Sequence, residues 1–175
     1  MENKIYVFVS ENNIGTLKFP KYNIETNAYI GINGITSEKK EGDGKTPLGE
    51  FELGIALGTH PMDKLKKTKI YKQITENMYW VDDLKSKFYN KLVDTLSIEK
   101  DWNSAEHLID YPIEYEYLIE IKANPKNIKG KGSAIFLHCS NNKPTAGCVA
   151  VDKKIMKKII ESIDEQTKIE ILKND

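Results

Sequence analysis

Apolar and polar residues alternate along this chain in short bursts rather than in long helical stripes. Runs of about five residues, rich in Ile, Val, Tyr and Phe and bounded by Gly, Asn and Pro, predict strands. They lie at Ile5–Val9, Ala28–Ile32, Phe51–Leu57, Tyr115–Ile121, Ala134–Cys139 and Lys168–Leu172. Within Tyr115–Ile121 the period is two, as in a strand with one buried face. Two segments carry a helical period instead. Behind Asp152, a good N-cap, Ile155, Met156, Ile159, Ile160 and Ile163 share one face with lysines opposite. Phe88, Leu92, Val93 and Leu96 predict a second, weaker helix over 86–96. From Thr59 to Asn90 no clean period emerges, which predicts a long excursion over the surface, where functional loops commonly sit. With no repeat and no linker-like stretch, the reading is one domain over residues 1–175, mainly β, with a few peripheral helices.

Charge removes whole classes of partner. The 175 residues include 26 basic side chains, all of them lysine, and 26 carboxylates, for a formal net charge of zero. A nucleic-acid or acidic-lipid binder would show a basic excess, so neither is expected. Without arginine, any anion site must use lysine or backbone N–H groups. No apolar run approaches the roughly 18 residues needed to span a bilayer. Residues Met1–Val9 read as a first strand rather than a signal peptide, so no leader is visible and a complete chain would stay in the cytoplasm. The chemically versatile residues are then few: Cys139, Cys148, His60, His107 and His138.

The triplet Gly44-Lys45-Thr46 invites comparison with a phosphate-binding loop. That loop needs a glycine where Lys39 stands, and a helix where Pro47 and Gly49 follow. A tight turn between strands is the simpler reading.

The segment from Gly132 to Val151 is richer. An apolar strand ends at His138, a polar turn follows, and Gly147-Cys148 opens a second apolar run. If the two runs are neighbours, His138 and Cys148 come within reach as general base and thiol nucleophile, the pair needed for acyl transfer. Gly147 would let a substrate approach, and N–H groups around it could form an oxyanion hole. Taken alone, a cysteine is more often a small buried hydrophobe than a nucleophile. Cys139, next to His138 in a strand, should face the core. A Cys139–Cys148 disulfide and a zinc site on His138, Cys139 and Cys148 are the alternatives; the spacing fits no zinc pattern, so neither metal nor cofactor is expected.

Thr145-Ala146-Gly147-Cys148-Val149-Ala150, preceded by Gly132–His138, resembles the active-site region of L,D-transpeptidases of the YkuD (ErfK/YbiS) family. Asp43–Phe51 resembles that family's Thr-Pro-x-Gly-x-Phe hairpin. Trp80–Asp83, Ser86, Tyr89-Asn90 and Asp101–His107 resemble segments of a divergent branch common in low-GC bacteria. The resemblance implies a β-sandwich-like catalytic domain, without a cofactor, that acts on peptidoglycan stem peptides. It also implies a location in the cell envelope, and the chain is expected to be a monomer. In the implied mechanism Cys148, activated by His138 and helped by Gly147, forms a thioester with the third stem residue and releases D-alanine. An amine of a second stem, or water, then resolves it, giving a 3→3 crosslink or L,D-carboxypeptidase activity. Thr145, Asp82, Asp83, Asn90, Glu106 and His107 are the implied substrate-side residues. Two features depart from the pattern: His138 and Cys148 are closer than usual, and Ala150 replaces an arginine or asparagine. The rival readings are an amidase or endopeptidase with the same dyad, and a non-catalytic wall-binding module.

Overall fold

A computed structural model describes residues 2–61 and 71–174. Nine strands form its main sheet, and their inward residues account for most of one core. The path begins at β1 (Lys4–Val9), where Ile5, Val7 and Val9 are fully buried at alternate positions, as the period-two pattern requires. β1 pairs antiparallel with β2 (Gly15–Phe19), and β2 with β3 (Ile24–Ala28). On its other side β1 runs parallel to the C-terminal strand β14 (Lys168–Lys173). Next come β6 (Gly49–Gly58), β11 (Tyr117–Ile121), β12 (Phe136–Cys139) and β13 (Val149–Val151), with β7 (Tyr71–Gln73) alongside β6. The β12–β13 pair is parallel. Just past β3, Tyr29 and Ala150 exchange backbone hydrogen bonds of 2.8 and 2.9 Å, so the two ends of the sheet meet and it nearly closes. Closure protects edges that would otherwise be exposed.

One helix, α1 (Lys153–Ser162), packs into this core. Asp152 caps it, accepting the Lys154 N–H at 2.9 Å, and Met156, Ile159, Ile160 and Ile163 are buried against the strands. Besides α1, the described residues contain only short 3-10 turns at Pro20–Tyr22 and Leu108–Asp110. The mainly β class with few helices is thus the observed one.

A short parallel pair, β4 (Ile35–Thr36) and β5 (Thr46–Pro47), holds the glycine-rich stretch, and no helix starts at Lys45-Thr46. A separate three-stranded sheet, β10 (Ala105–His107), β8 (Met78–Val81) and β9 (Leu92–Asp94), covers the outer face of the β11–β13 region. Two expectations change here. The helix over 86–96 is absent: Asn90 has a left-handed backbone (φ 57°), Ser86 Oγ donates to Asp101 rather than serving a helix, and Val93 lies in β9. Leu96, assigned to that helix's apolar face, is exposed. The excursion from Thr59 to Asn90 is not wholly a surface loop, since it contributes β7 and β8, and Met78, Trp80 and Val81 are buried; its residues 62–70 lie outside the described residues. Met78 and Trp80 face the main sheet while Tyr79 and Val81 face Trp102 and Val93. A strand buried on both faces has no alternating pattern to read. The strand read at Ala28–Ile32 lies earlier, at β3, with Tyr29 and Gly31 reduced to single bridges.

Candidate active site

β12 and β13 are buried on both faces. Leu137, Cys139, Val149 and Val151 point into the closed sheet, whereas Phe136, His138, Cys148 and Ala150 point toward the covering sheet. The parallel register pairs Leu137 with Val149 and His138 with Ala150, so Cys148 stands opposite Phe136 and diagonal to His138. For strands about 4.8 Å apart with a rise of about 3.3 Å, that diagonal separates the Cα atoms by roughly 8 Å, within the combined reach of an imidazole and a thiol.

His138 is buried, and its Nδ1 lies 2.8 Å from the Cys139 carbonyl oxygen. A carbonyl only accepts, so Nδ1 carries the proton and Nε2 is left as a base. Burial depresses the His138 pKa below the usual imidazole value, against the Cys139 carbonyl and Glu114, which raise it. Cys148 Sγ donates to the Ala134 carbonyl (3.2 Å) and accepts the Phe136 N–H (3.3 Å). Burial pushes the Cys148 thiol up to about 12; the Glu106 carboxylate adds to the rise, while the Phe136 N–H and Lys39 oppose it. At neutral pH the resting pair is therefore a thiol and a neutral imidazole.

The loop before Cys148 is braced from three directions. The Cys148 carbonyl accepts from Thr145 Oγ1 (2.6 Å) and from the fully buried Thr46 Oγ1 (3.3 Å), which itself accepts the Gly31 N–H (2.8 Å). Gly147 has φ 145°, and a Cβ there would come within 2.9 Å of the Lys45 carbonyl oxygen. Only glycine lets the 44–46 turn pass so close. The Gly147 N–H donates to Thr145 Oγ1 (3.1 Å), so it is not a free oxyanion donor. The Thr46-Pro47 strand thus serves the cysteine loop directly. Thr46→Val should cost about 1–2 kcal/mol and lower turnover as the loop loosens, measured by urea unfolding and steady-state rates.

The remaining sequence-derived candidates separate by position. Glu106 faces the thiol's cluster: it pairs across the ladder with Trp80, and the Tyr115 hydroxyl donates to its Oε2. Asp82 lies close enough to raise the Glu106 pKa. Asn90 acts at one remove, its Oδ1 accepting from Trp80 Nε1 and from the Ala134 N–H, both at 3.1 Å. It thereby fixes the carbonyl that holds Cys148. Thr145 is a brace. Asp83 accepts the Lys85 and Asn103 N–H groups in a loop. His107 faces away, stacked on Tyr79 at 4.3 Å, with Nδ1 on Asp110 and Nε2 on the Glu76 carbonyl. Neither Asp83 nor His107 is brought to the thiol.

Cys139 is in the inner core with Sγ on the Tyr117 carbonyl, and both thiols are free, so the disulfide alternative falls. Among the described residues no group of three His, Cys, Asp or Glu side chains could hold a metal ion. Sequence reasoning missed Tyr115 and Lys39. Tyr115 lies edge-on to both Phe136 (5.6 Å) and His138 (5.7 Å). Lys39 Nζ sits 3.4 Å from where a Gly147 Cβ would be, tied to Asp43. Its signal was only the Asp43 four residues on.

The family model for the YkuD L,D-transpeptidase catalytic domain matches residues 3–171. The chain belongs to that family. Solved structures similar to this chain include L,D-transpeptidase 1 of Mycobacterium tuberculosis, 13% identical with a TM-score of 0.40, covering 97% of this chain and 62% of that one. A cysteine-to-serine mutant of the Enterococcus faecium L,D-transpeptidase is 12% identical with a TM-score of 0.41, covering 95% and 49%. The helical cell shape determining protein Pgp2 of Campylobacter jejuni is 13% identical with a TM-score of 0.46, covering 98% and 48%. This chain spans about half to three-fifths of the length of these proteins. A search of curated proteins finds no significant match. No helix among the described residues of this YkuD domain is long and apolar enough to cross a membrane.

Glu106 also gives the YkuD domain a stability signature. Burial raises its pKa from 4.5 to about 7, with Asp82 and Glu41 adding and Tyr115 opposing. A carboxyl whose folded pKa is raised stabilises the fold fully below its unfolded value, and that stabilisation is lost as pH rises through the folded one. Relative to Glu106→Gln, the wild type should therefore lose stability between pH 4.5 and about 7. The loss is on the order of 2 kcal/mol, read from urea midpoints at the two ends of that window.

Proposed function

We propose that this YkuD domain is a cysteine acyltransferase of peptidoglycan stem peptides, working through a Cys148 thioester. The supporting observation is the placement of Cys148 and His138 on one face of adjacent parallel strands, with His138 Nδ1 committed to a backbone carbonyl. His138 Nε2 takes the thiol proton as Cys148 attacks the carbonyl of the third stem residue, then gives it to the departing D-alanine amine. An amine of a second stem resolves the thioester into a 3→3 crosslink, and water resolves it into a tripeptide. The substrate class places the working enzyme in the cell envelope.

Incubation with a synthetic stem tetrapeptide ending in D-alanine, followed by mass analysis, tests this. Crosslinked dimer together with released D-alanine is expected. Tripeptide alone would make the protein a carboxypeptidase, and no release of D-alanine would contradict the reading.

A further inference from the structure

The His138–Cys148 chemistry leaves one half-buried carboxylate at the thiol's cluster without a task. Glu106 projects from β10 on the same side as Trp80, whose ring meets Phe136 edge-on at 4.8 Å. The Tyr115 hydroxyl that donates to Glu106 belongs to the ring that abuts His138. Burial holds the Tyr115 hydroxyl well above the ordinary phenol value, so it stays a donor. One tyrosine therefore ties this carboxylate to the imidazole beside Cys148.

The charged groups around Glu106 are carboxylates. Asp82 follows β8, and Glu41, from the loop before β5, accepts from Tyr89 and Ser133. Tyr111 also feels the Glu106 charge. Lys39 acts on Cys148 but is committed to Asp43 and the Lys40 carbonyl. Asp82 Oδ1 is buried with no hydrogen-bond partner among the described residues. A buried carboxylate oxygen without a donor calls for one from outside. Carboxylates gathered beside an uncharged thiol and imidazole favour a cation.

We infer that Glu106 receives the ammonium group of the acyl acceptor and removes its proton, so that an amine rather than water resolves the thioester. This rests on the thioester chemistry proposed above. The ammonium donates to the Glu106 carboxylate, with Asp82 Oδ1 as a second acceptor. One proton passes to Glu106, and the freed nitrogen lone pair attacks the thioester carbonyl. As the C–N bond forms and the C–S bond breaks, a second proton leaves the nitrogen for His138 Nε2 and passes to the departing sulfur. The third remains on the new amide. Glu106 then releases its proton to solvent, and Cys148 is again a thiol. A carboxyl titrating near 7 is matched to this work at neutral pH.

The test compares wild type with Glu106→Gln, each loaded with the stem tetrapeptide. Intact mass follows thioester formation, and the ratio of aminolysis to hydrolysis is read with two acceptors. One is a primary alkylamine, protonated at neutral pH; the other is hydroxylamine, largely unprotonated there. Glu106→Gln should lower the alkylamine ratio by about 100-fold while hydroxylamine stays within about twofold of wild type. Raising the pH should restore the alkylamine ratio. An unchanged alkylamine ratio, or an equal loss with both acceptors, would overturn the inference. A defect confined to thioester formation would also overturn it, assigning Glu106 to the donor peptide. Absence of thioester in the wild type would instead remove the underlying reading. Should Glu106→Gln fail to fold, Tyr115→Phe decides. Losing the donor that lowers the Glu106 pKa should move the acidic limb of aminolysis to higher pH, and an unmoved limb overturns the inference.

Discussion

Cys148→Ala should lose stem-peptide turnover by a factor on the order of 10⁴ or more while keeping its fold. The Cys148 thiol sits opposite Phe136 on the His138 side of β12, and the other cysteine lies across the strand in the inner core. Removing Sγ deletes the attacking atom outright. Structurally the change is small, because one sulfur leaves a cluster that Phe136, Tyr115, Leu118 and Trp80 continue to fill. The Phe136 N–H loses its acceptor, a cost of about 1 kcal/mol. Circular dichroism and thermal unfolding alongside the rate assay check both halves. Residual turnover above a few per cent would point to a different nucleophile. Cys139→Ala should behave oppositely: its Sγ lies in the inner core on the Tyr117 carbonyl, on the opposite face of β12 from His138, and the substitution costs packing rather than turnover.

His138→Ala should lower turnover by roughly 100- to 10,000-fold, the usual contribution of a positioned base. The wild-type rate needs a neutral imidazole, so activity should fall as the pH drops through the depressed His138 pKa, below 6.5. That acidic limb should be missing in the variant, which a merely structural histidine would not explain. Some stability should also go, because the ring packs edge-on to Tyr115 and closes a hydrogen bond on the Cys139 carbonyl. Full activity in His138→Ala, with loss in His107→Ala, would reverse the assignment. The bonds of His107 to Asp110 and Glu76 predict that its substitution mainly loosens the covering sheet.

The neighbouring placement of His138 and Cys148 was legible in the sequence because two apolar runs joined by a short polar turn tend to lie side by side. Alternation alone then assigned Cys139 to the core. α1 was legible for similar reasons, its period and its Asp152 cap agreeing. The covering sheet was not. Met78–Val81 is apolar on both faces, and β9 and β10 have three residues each, too few to show a period. Phe88, Leu92, Val93 and Leu96 fit a helical spacing by accident, and turn-forming side chains at Ser86 and Asp101 decide otherwise.

That missing sheet is also why the site was only half visible. Glu106 and Asp82 could be named from motif resemblance, but which of them meets the thiol depends on the β8–β10 register. Tyr115, the residue that joins Glu106 to His138, carried no signal beyond its place in a period-two run, and it lies just outside the strand. The stretch around Thr46 read as a tight turn and, by resemblance, as a hairpin, whereas Thr46-Pro47 pairs in parallel with Ile35-Thr36. Its contribution, a hydroxyl that holds the Cys148 carbonyl from 102 residues away, is a tertiary contact that no local pattern contains. The absent arginine changes meaning as well. Lys39, the cation that acts on Cys148, is committed to Asp43, and the charged groups around Glu106 are carboxylates.

The thioester is the centre of this account, and intact-mass analysis with a carbapenem tests it most directly. A carbapenem traps an acylating thiol, and peptide mapping locates the trapped atom. The wild type should gain one adduct, mapped to Cys148, and Cys148→Ala should gain none. An unmodified wild type, or an adduct that persists in Cys148→Ala, would contradict it.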